Sequence, residues 1–105
     1  MSKSIISVLA ATLLATPVSG FAAGNAKAAE AKVSMCIGCH GIPGYKASFP
    51  SVYSVPKISG QSAQYIESAL SAYRKGDRTH PTMRAIAGSL SDQDIADLAA
   101  YYAAR

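Results

Sequence analysis

Cys36-Ile37-Gly38-Cys39-His40 is the stretch that decides the fold of this chain of 105 residues. The C-x-x-C-H spacing is the signature of covalent haem attachment, and it uses both cysteines of the chain. Two thiols one helical turn apart lie on the same face, so both can add to the vinyl groups on one side of a porphyrin. His40 then lies beneath the ring, where an imidazole nitrogen can bind the iron. The stretch therefore predicts one covalently bound haem c, with Cys36 and Cys39 as its thioether links and His40 as an iron ligand.

Two other uses of these cysteines compete with haem attachment. A C-x-x-C pair in a secreted protein can form a disulfide, but the strand and βαβ pattern of thioredoxin-like sites are not visible here. Zinc could take Cys36, Cys39, His40 and His80. However, the sequence has no second C-x-x-C, and adjacent Cys39 and His40 are awkward joint ligands of a tetrahedral ion. Haem is the favoured interpretation, and a disulfide is the main alternative.

The N-terminus has the pattern of a secretory signal peptide. A short basic start, Met1-Ser2-Lys3, precedes an apolar run over 5–15 and small residues around Ala22. The apolar run is too short to cross a bilayer as a helix. We therefore expect a signal peptide over 1–22, cleaved after Ala22 or as late as Ala26. The mature chain, 23–105, is expected to be one periplasmic domain without a membrane-spanning helix.

The composition is modestly basic, with ten Lys and Arg against six Asp and Glu and a formal net charge of +4. The sequence has no Lys/Arg-rich run and no aromatic stacking platform, so nucleic-acid binding has little support. A domain of this size has a marginal core of its own, and a covalently held apolar cofactor would stabilise it. The composition fits a small domain organised around a haem.

Apolar spacing predicts an all-α domain, because no stretch alternates with the period of two that marks a half-buried strand. The expected helices cover 26–37, 62–75, 84–88 and a last segment from 92 nearly to 105. Ser62 and the capping box of Ser91 and Asp94 indicate helix starts, and Gly76 indicates a helix end. Glycines and prolines punctuate 41–60, so that segment is predicted to be a loop that wraps the flat cofactor.

A second iron ligand is expected from the polar segment 76–83, which is predicted to be a loop. Met83 lies far enough beyond His40 for the chain to return on the other face of the ring. A thioether in that position completes the coordination of the iron and raises its reduction potential. His80 is the alternative ligand and would lower the potential, although a rigid corner beside a proline explains it equally well. Met35 adjoins the first attachment cysteine and is interpreted as packing.

Pro56 and Tyr65 are further candidate residues of the haem pocket. A histidine that binds metal usually donates its other ring N–H to a fixed acceptor, often a backbone carbonyl. The carbonyl of Pro56 could be that acceptor for His40, or the proline could only stiffen its loop. Tyr65 belongs to an apolar helix face that is mainly core, but a tyrosine in a haem crevice can also bond a propionate.

In this ordered set of motifs the chain resembles the bacterial class I c-type cytochromes, and especially single-haem domains like one half of the di-haem cytochrome c-four proteins. The resemblance rests on the segments 36–41, 56–61 with Tyr65, 73–78, 82–83 and 90–102. It implies the class I cytochrome c fold, in which N- and C-terminal helices cross over the haem. It also implies His40 and Met83 as axial ligands, with the Pro56 carbonyl as the partner of His40. The segment 45–53 departs from the family pattern as an insertion and could form a docking surface.

A one-electron carrier in the periplasm is the leading functional hypothesis. Two axial ligands from the protein would leave the iron no open position for a substrate, which argues against an enzyme. The alternative is an electron-accepting cytochrome subunit of a periplasmic dehydrogenase, for example of the flavocytochrome sulfide dehydrogenase type. A haem sensor or peroxidase would require the bond from Met83 to be weak or absent.

Protein redox partners are expected, with an acidic surface at the docking site. Basic side chains around the exposed haem edge would steer such a partner, or each could be an ordinary solvated residue. The candidates include Lys46, Lys57, Arg74, Lys75, Arg78 and Arg84.

Overall fold

A computed structural model of the protein describes residues 23–49 and 51–105, so the predicted signal peptide lies outside the described residues. The elements in chain order are α1 (Ala26–Ala29), α2 (Ser34–His40), β1 (Lys46–Ala47), β2 (Tyr53–Ser54), α3 (Ala63–Lys75), α4 (Pro81–Gly88) and α5 (Asp92–Ala103). Within this part of the chain no helix is long and apolar enough to cross a membrane. The predicted all-α class is confirmed, apart from one short antiparallel pair of strands.

The hydrophobic core is built on α5, which packs against α1 and α3. Its buried apolar side chains are Ala29, Ile66, Leu90, Ile95, Leu98, Ala99 and Tyr102. Cys36 and Leu70 pack against this cluster from α2 and α3. The core therefore joins the two ends of the described chain and reaches the haem-attachment helix.

The chain just before α1 lies directly against α5. A Cβ atom added to Gly24 would lie 2.0 Å from the carbonyl oxygen of Ala96, so the close approach requires glycine. The next amide, that of Asn25, donates a 2.7 Å hydrogen bond to the buried Asp97 carboxylate. The Asn25 side chain in turn accepts from the amides of Lys27 and Ala28 and caps α1. Gly24 and Asn25 together attach the N-terminal helix to the C-terminal one.

The helix boundaries predicted from capping residues are present in the structure. The Ser62 hydroxyl accepts from the Tyr65 amide at the start of α3, and Gly76 ends α3 in the left-handed conformation with φ of 91°. Ser91 and Asp94 form the expected capping box at the start of α5. The Lys32 ammonium and the Ser91 backbone lower the pKa of Asp94 to about 2. This carboxylate therefore joins the turn after α1 to the N-terminus of α5.

Three predictions of local structure are wrong. The helix expected over 26–37 is two helices, because a tight turn over 30–33 separates α1 from α2 and lets Lys32 pair with Asp94. Helix α4 begins at Pro81, within the segment predicted to be a loop, because His80 caps it and proline suits the first helical position. Strands β1 and β2 were not predicted, since two residues are too few to show alternation.

Candidate haem-binding site

One side of the core opens into a cavity of about 380 Å³, within the range of about 300–1,000 Å³ that cofactor pockets occupy. Every helix and strand except α1 contributes to its lining, and most of the lining side chains are apolar. The charged residues among them are Lys57 and Arg78, and no carboxylate of the described residues lines the cavity. A cavity of this kind fits a flat apolar ligand with negatively charged substituents.

Helix α2 brings both cysteines and the adjacent histidine to the cavity wall. Cys36, Cys39 and His40 all line the cavity, and both thiols are free rather than joined in a disulfide. Burial raises the pKa of the Cys36 thiol, and the nearby Tyr102 hydroxyl partly offsets the effect. The Tyr102 hydroxyl is buried, and among the described residues it has no hydrogen-bond partner. Burial raises its pKa to about 12. Cys36 is thus half-buried beside a buried tyrosine hydroxyl.

A hydrogen bond to the loop before α3 fixes the ring of His40. Its Nδ1 lies 2.6 Å from the carbonyl oxygen of Pro56, which has no proton to give, so Nδ1–H is the donor. The proton on Nδ1 leaves the lone pair of Nε2 available to a metal. Proline fixes the backbone that presents this carbonyl. The arrangement is one that holds a histidine ready to bind iron.

Helix α4 supplies a thioether and a second imidazole to the cavity lining. Met83 is half-buried at the third position of the helix, and His80 lies just before its first residue. The Nδ1 atom of His80 accepts a hydrogen bond from the Met83 amide at 3.3 Å. A neutral ring whose Nδ1 accepts must carry its proton on Nε2, so neither nitrogen offers a free lone pair. In this arrangement the His80 ring is engaged in a hydrogen bond to the main chain, and the Met83 thioether lines the same cavity.

The cavity wall also contains residues to which the sequence assigned other roles or none. From the sequence, Arg78 is expected only as a charge that steers a partner. Its guanidinium lies 4.8 Å from the centre of the Tyr73 ring. A hydrogen bond with the Tyr65 side chain is the main cause that raises the pKa of Arg78. Tyr65 lines the cavity with half of its surface exposed. Met35, interpreted from the sequence as packing, lines it too. Tyr65 is a haem-pocket candidate from the sequence, whereas the positions of Arg78 in a polar loop and Met35 beside a cysteine gave no signal strong enough to place them here.

The residues present fit a covalently bound haem. Two thiols, an oriented imidazole and a thioether reach one apolar cavity, and the two basic side chains at its wall match the propionate groups of a haem. These features define a small helical haem protein of the electron-transfer class.

The chain belongs to the Cytochrome c family, whose profile matches residues 22–103. It is 44% identical to cytochrome c-554(548) of Halomonas halodenitrificans over 79% of this chain and 99% of that protein. It is 37% identical to cytochrome c4 of Pseudomonas aeruginosa over 100% of this chain and 49% of that protein. It is 36% identical to the cytochrome subunit of sulfide dehydrogenase of Chlorobaculum tepidum over 64% of this chain and 56% of that protein.

Membership of this family confirms the class I cytochrome c fold, covalently bound haem c with its iron, and a role in electron transfer rather than catalysis. The chain spans nearly the full length of the first relative but about half of the cytochrome c4 and sulfide dehydrogenase relatives.

Proposed function

We propose that the protein is a periplasmic single-haem electron carrier, in which Cys36 and Cys39 hold the haem and His40 and Met83 are its axial ligands. The observation that carries the proposal is the meeting of four groups in one cavity: two free thiols, a thioether, and an imidazole whose Nδ1 is bonded to the Pro56 carbonyl. The bound haem supplies an iron that alternates between the ferrous and ferric states.

The protein groups would hold this cofactor and set its environment. The hydrogen bond from His40 to Pro56 fixes the ring orientation and makes the imidazole a better donor to the metal. The soft sulfur of Met83 favours the reduced iron and raises the reduction potential. His40 and Met83 would together hold the iron and leave no vacant position for a substrate, so the group would supply electron exchange alone.

Export to the periplasm is supported by the signal-peptide pattern of the first 22 residues, and the fold favours cleavage after Ala22 over cleavage after Ala26. Cleavage after Ala26 would remove Gly24 and Asn25, and with them the cap of α1 and the amide that bonds the buried Asp97. A buried carboxylate that loses a partner destabilises the fold. We therefore propose Ala23 as the first residue of the mature protein.

The carrier role predicts that the ferrous protein does not bind carbon monoxide quickly. Because Met83 would occupy the second axial position, the absorption spectrum should stay unchanged for minutes after mixing with carbon monoxide. A redox titration should show one electron per haem. The measurement is stopped-flow absorption of haem-loaded protein purified from a strain that matures c-type cytochromes. Rapid binding would contradict the carrier role and support a haem sensor or peroxidase.

An acidic partner is proposed from the distribution of charge around the cavity. Lys57 and Arg78 line it, and the sequence between Glu30 and Glu67 contains no carboxylate. This interval includes the haem-attachment helix and the β1–β2 hairpin. Basic side chains of this interval that the haem propionates do not neutralise, such as the exposed Lys46 on β1, attract a negatively charged surface and raise the rate of encounter.

We expect Lys57→Glu to slow electron transfer from an acidic donor several-fold at low ionic strength. The difference from the wild type should shrink as salt is added, because the Debye length falls to about 10 Å at 0.1 M. Reduction by flavodoxin semiquinone, an acidic flavoprotein donor, can be followed by stopped flow. Lys27→Glu is the matched control, since it makes the same change of charge on α1, which contributes nothing to the cavity. Equal slowing by both variants would contradict a local docking site.

The electron-accepting subunit of a dehydrogenase is a second candidate, favoured by exposed apolar residues that do not line the cavity. Ile42 is 46% exposed and Val52 is 76% exposed, and a bound haem would not cover either of them. Exposed apolar side chains mark a lasting protein contact where they form one contiguous patch, and this candidate requires such a patch. Co-purification of the native protein with a flavoprotein in a fixed ratio would favour this candidate over the free carrier.

A further inference from the structure

The side chain of His80 caps the N-terminus of α4. Its backbone is extended, with φ of −157° and ψ of 114°, and its Nδ1 accepts the amide hydrogen of Met83 at 3.3 Å. Asn, Asp, Ser and Thr usually provide this cap through a side-chain oxygen. Here a ring nitrogen does so, and the capped amide belongs to the residue whose sulfur is available to the iron.

Two neighbours hold the His80 ring and the chain beside it. Pro81 occupies the first helical position, where its fixed φ suits the helix. The Tyr53 ring, on strand β2, lies with its centre 6.0 Å from the centre of the His80 ring at an interplanar angle of 56°. The start of α4 is therefore held by a cap, a proline and an aromatic contact, all within the lining of the cavity or next to it.

We propose that His80 is a positioning residue for Met83 and not an iron ligand. The proposal rests on the proposed ligation of the iron by Met83. The cap acts on the main chain of Met83 itself, so its loss would loosen the first turn of α4. The sulfur would then leave the iron more often.

The test is the binding of imidazole to the ferric, haem-loaded protein, because imidazole binds only when the sulfur has left. Loss of a cap raises the population of a locally open state about fivefold, since a cap contributes about 1 kcal/mol. The apparent affinity for imidazole should rise by the same factor in His80→Ala. His80→Asn should stay close to the wild type, because the Asn side-chain oxygen caps a helix and offers no imidazole to the iron.

Ser91→Ala is the matched control. It removes the hydroxyl that caps α5, which should lower the midpoint of unfolding without changing imidazole binding, since Met83 is not its partner. Wild-type affinity for imidazole in His80→Ala would overturn the positioning role. A His80→Asn variant that behaves like His80→Ala would also overturn this role. It would show that the imidazole ring, and not the helix cap, keeps Met83 in position.

Failure of this inference can be told apart from failure of the proposed function. If Met83→Ala keeps the sulfur-to-iron charge-transfer band, Met83 is not the ligand and both proposals fall. If that band is lost in Met83→Ala while His80→Ala binds imidazole like the wild type, only the positioning role falls. Loss of the band in Met83→Ala together with tighter imidazole binding in His80→Ala supports both.

Discussion

Replacement of Met83 by alanine is expected to abolish the sulfur-to-iron charge-transfer band at the red end of the ferric spectrum and to lower the reduction potential. The change in potential should be on the order of 0.1 V or more, a fraction of the ~0.8 V range that axial ligands span. The sulfur stabilises the ferrous state, and its removal leaves water or no ligand in its place. Absorption spectroscopy and a potentiometric titration of the purified protein measure both effects.

Met35→Ala is the matched control for this experiment. Met35 also lines the cavity, but it belongs to α2 beside the first attachment cysteine, so it is not placed to be the second axial ligand. We expect its removal to leave the charge-transfer band in place. The Met83→Ala protein should also bind carbon monoxide rapidly when reduced, as the wild type should not. An unchanged band in Met83→Ala would remove this residue from the iron site.

Replacement of both cysteines by alanine is expected to give a protein without covalent haem that is largely unfolded. Without the haem, the apolar side chains that line the cavity lose the group they would pack against, and lost packing destabilises a core. The loss is expected to unfold the protein because the whole stability of a small domain is only about 5–15 kcal/mol. Haem staining of a denaturing gel measures the attachment, and circular dichroism measures the helix content.

The single variants Cys36→Ala and Cys39→Ala serve as controls for the double variant. Each keeps one thiol, so each should retain haem through one thioether and show an altered pyridine haemochrome spectrum. Haem that stays covalently attached in the double variant would contradict the assignment of both links. Wild-type protein that is colourless, with its two sulfurs free or joined to each other, would contradict the electron-carrier role altogether.

The features that the sequence predicts well are those set by residues close together in the chain. The haem-attachment motif spans five residues, and the caps at Ser62, Gly76 and Ser91 act within about one turn of helix. Such signals need no knowledge of the tertiary fold. Family membership then confirms the fold class and the cofactor, because the ordered set of motifs is characteristic of cytochromes c.

Features that depend on distant contacts could not be read from the sequence in the same way. The turn that separates α1 from α2 accompanies the ion pair between Lys32 and Asp94, which belong to opposite ends of the domain. Arg78 becomes a cavity residue only because α3, α4 and the loop between them surround the site. His80 was considered as a ligand or a corner residue, and its capping role depends on an unusual use of a ring nitrogen that residue preferences do not predict.

The contact between Asn25 and Asp97 also constrains the order of events during synthesis and folding. These residues are 72 positions apart, so this contact cannot form until nearly the whole domain has been synthesised. Contacts of such long range form late, because the loop between them must be closed first. Until this contact forms, α2 belongs to an open chain, and both of its cysteines would be accessible to a porphyrin.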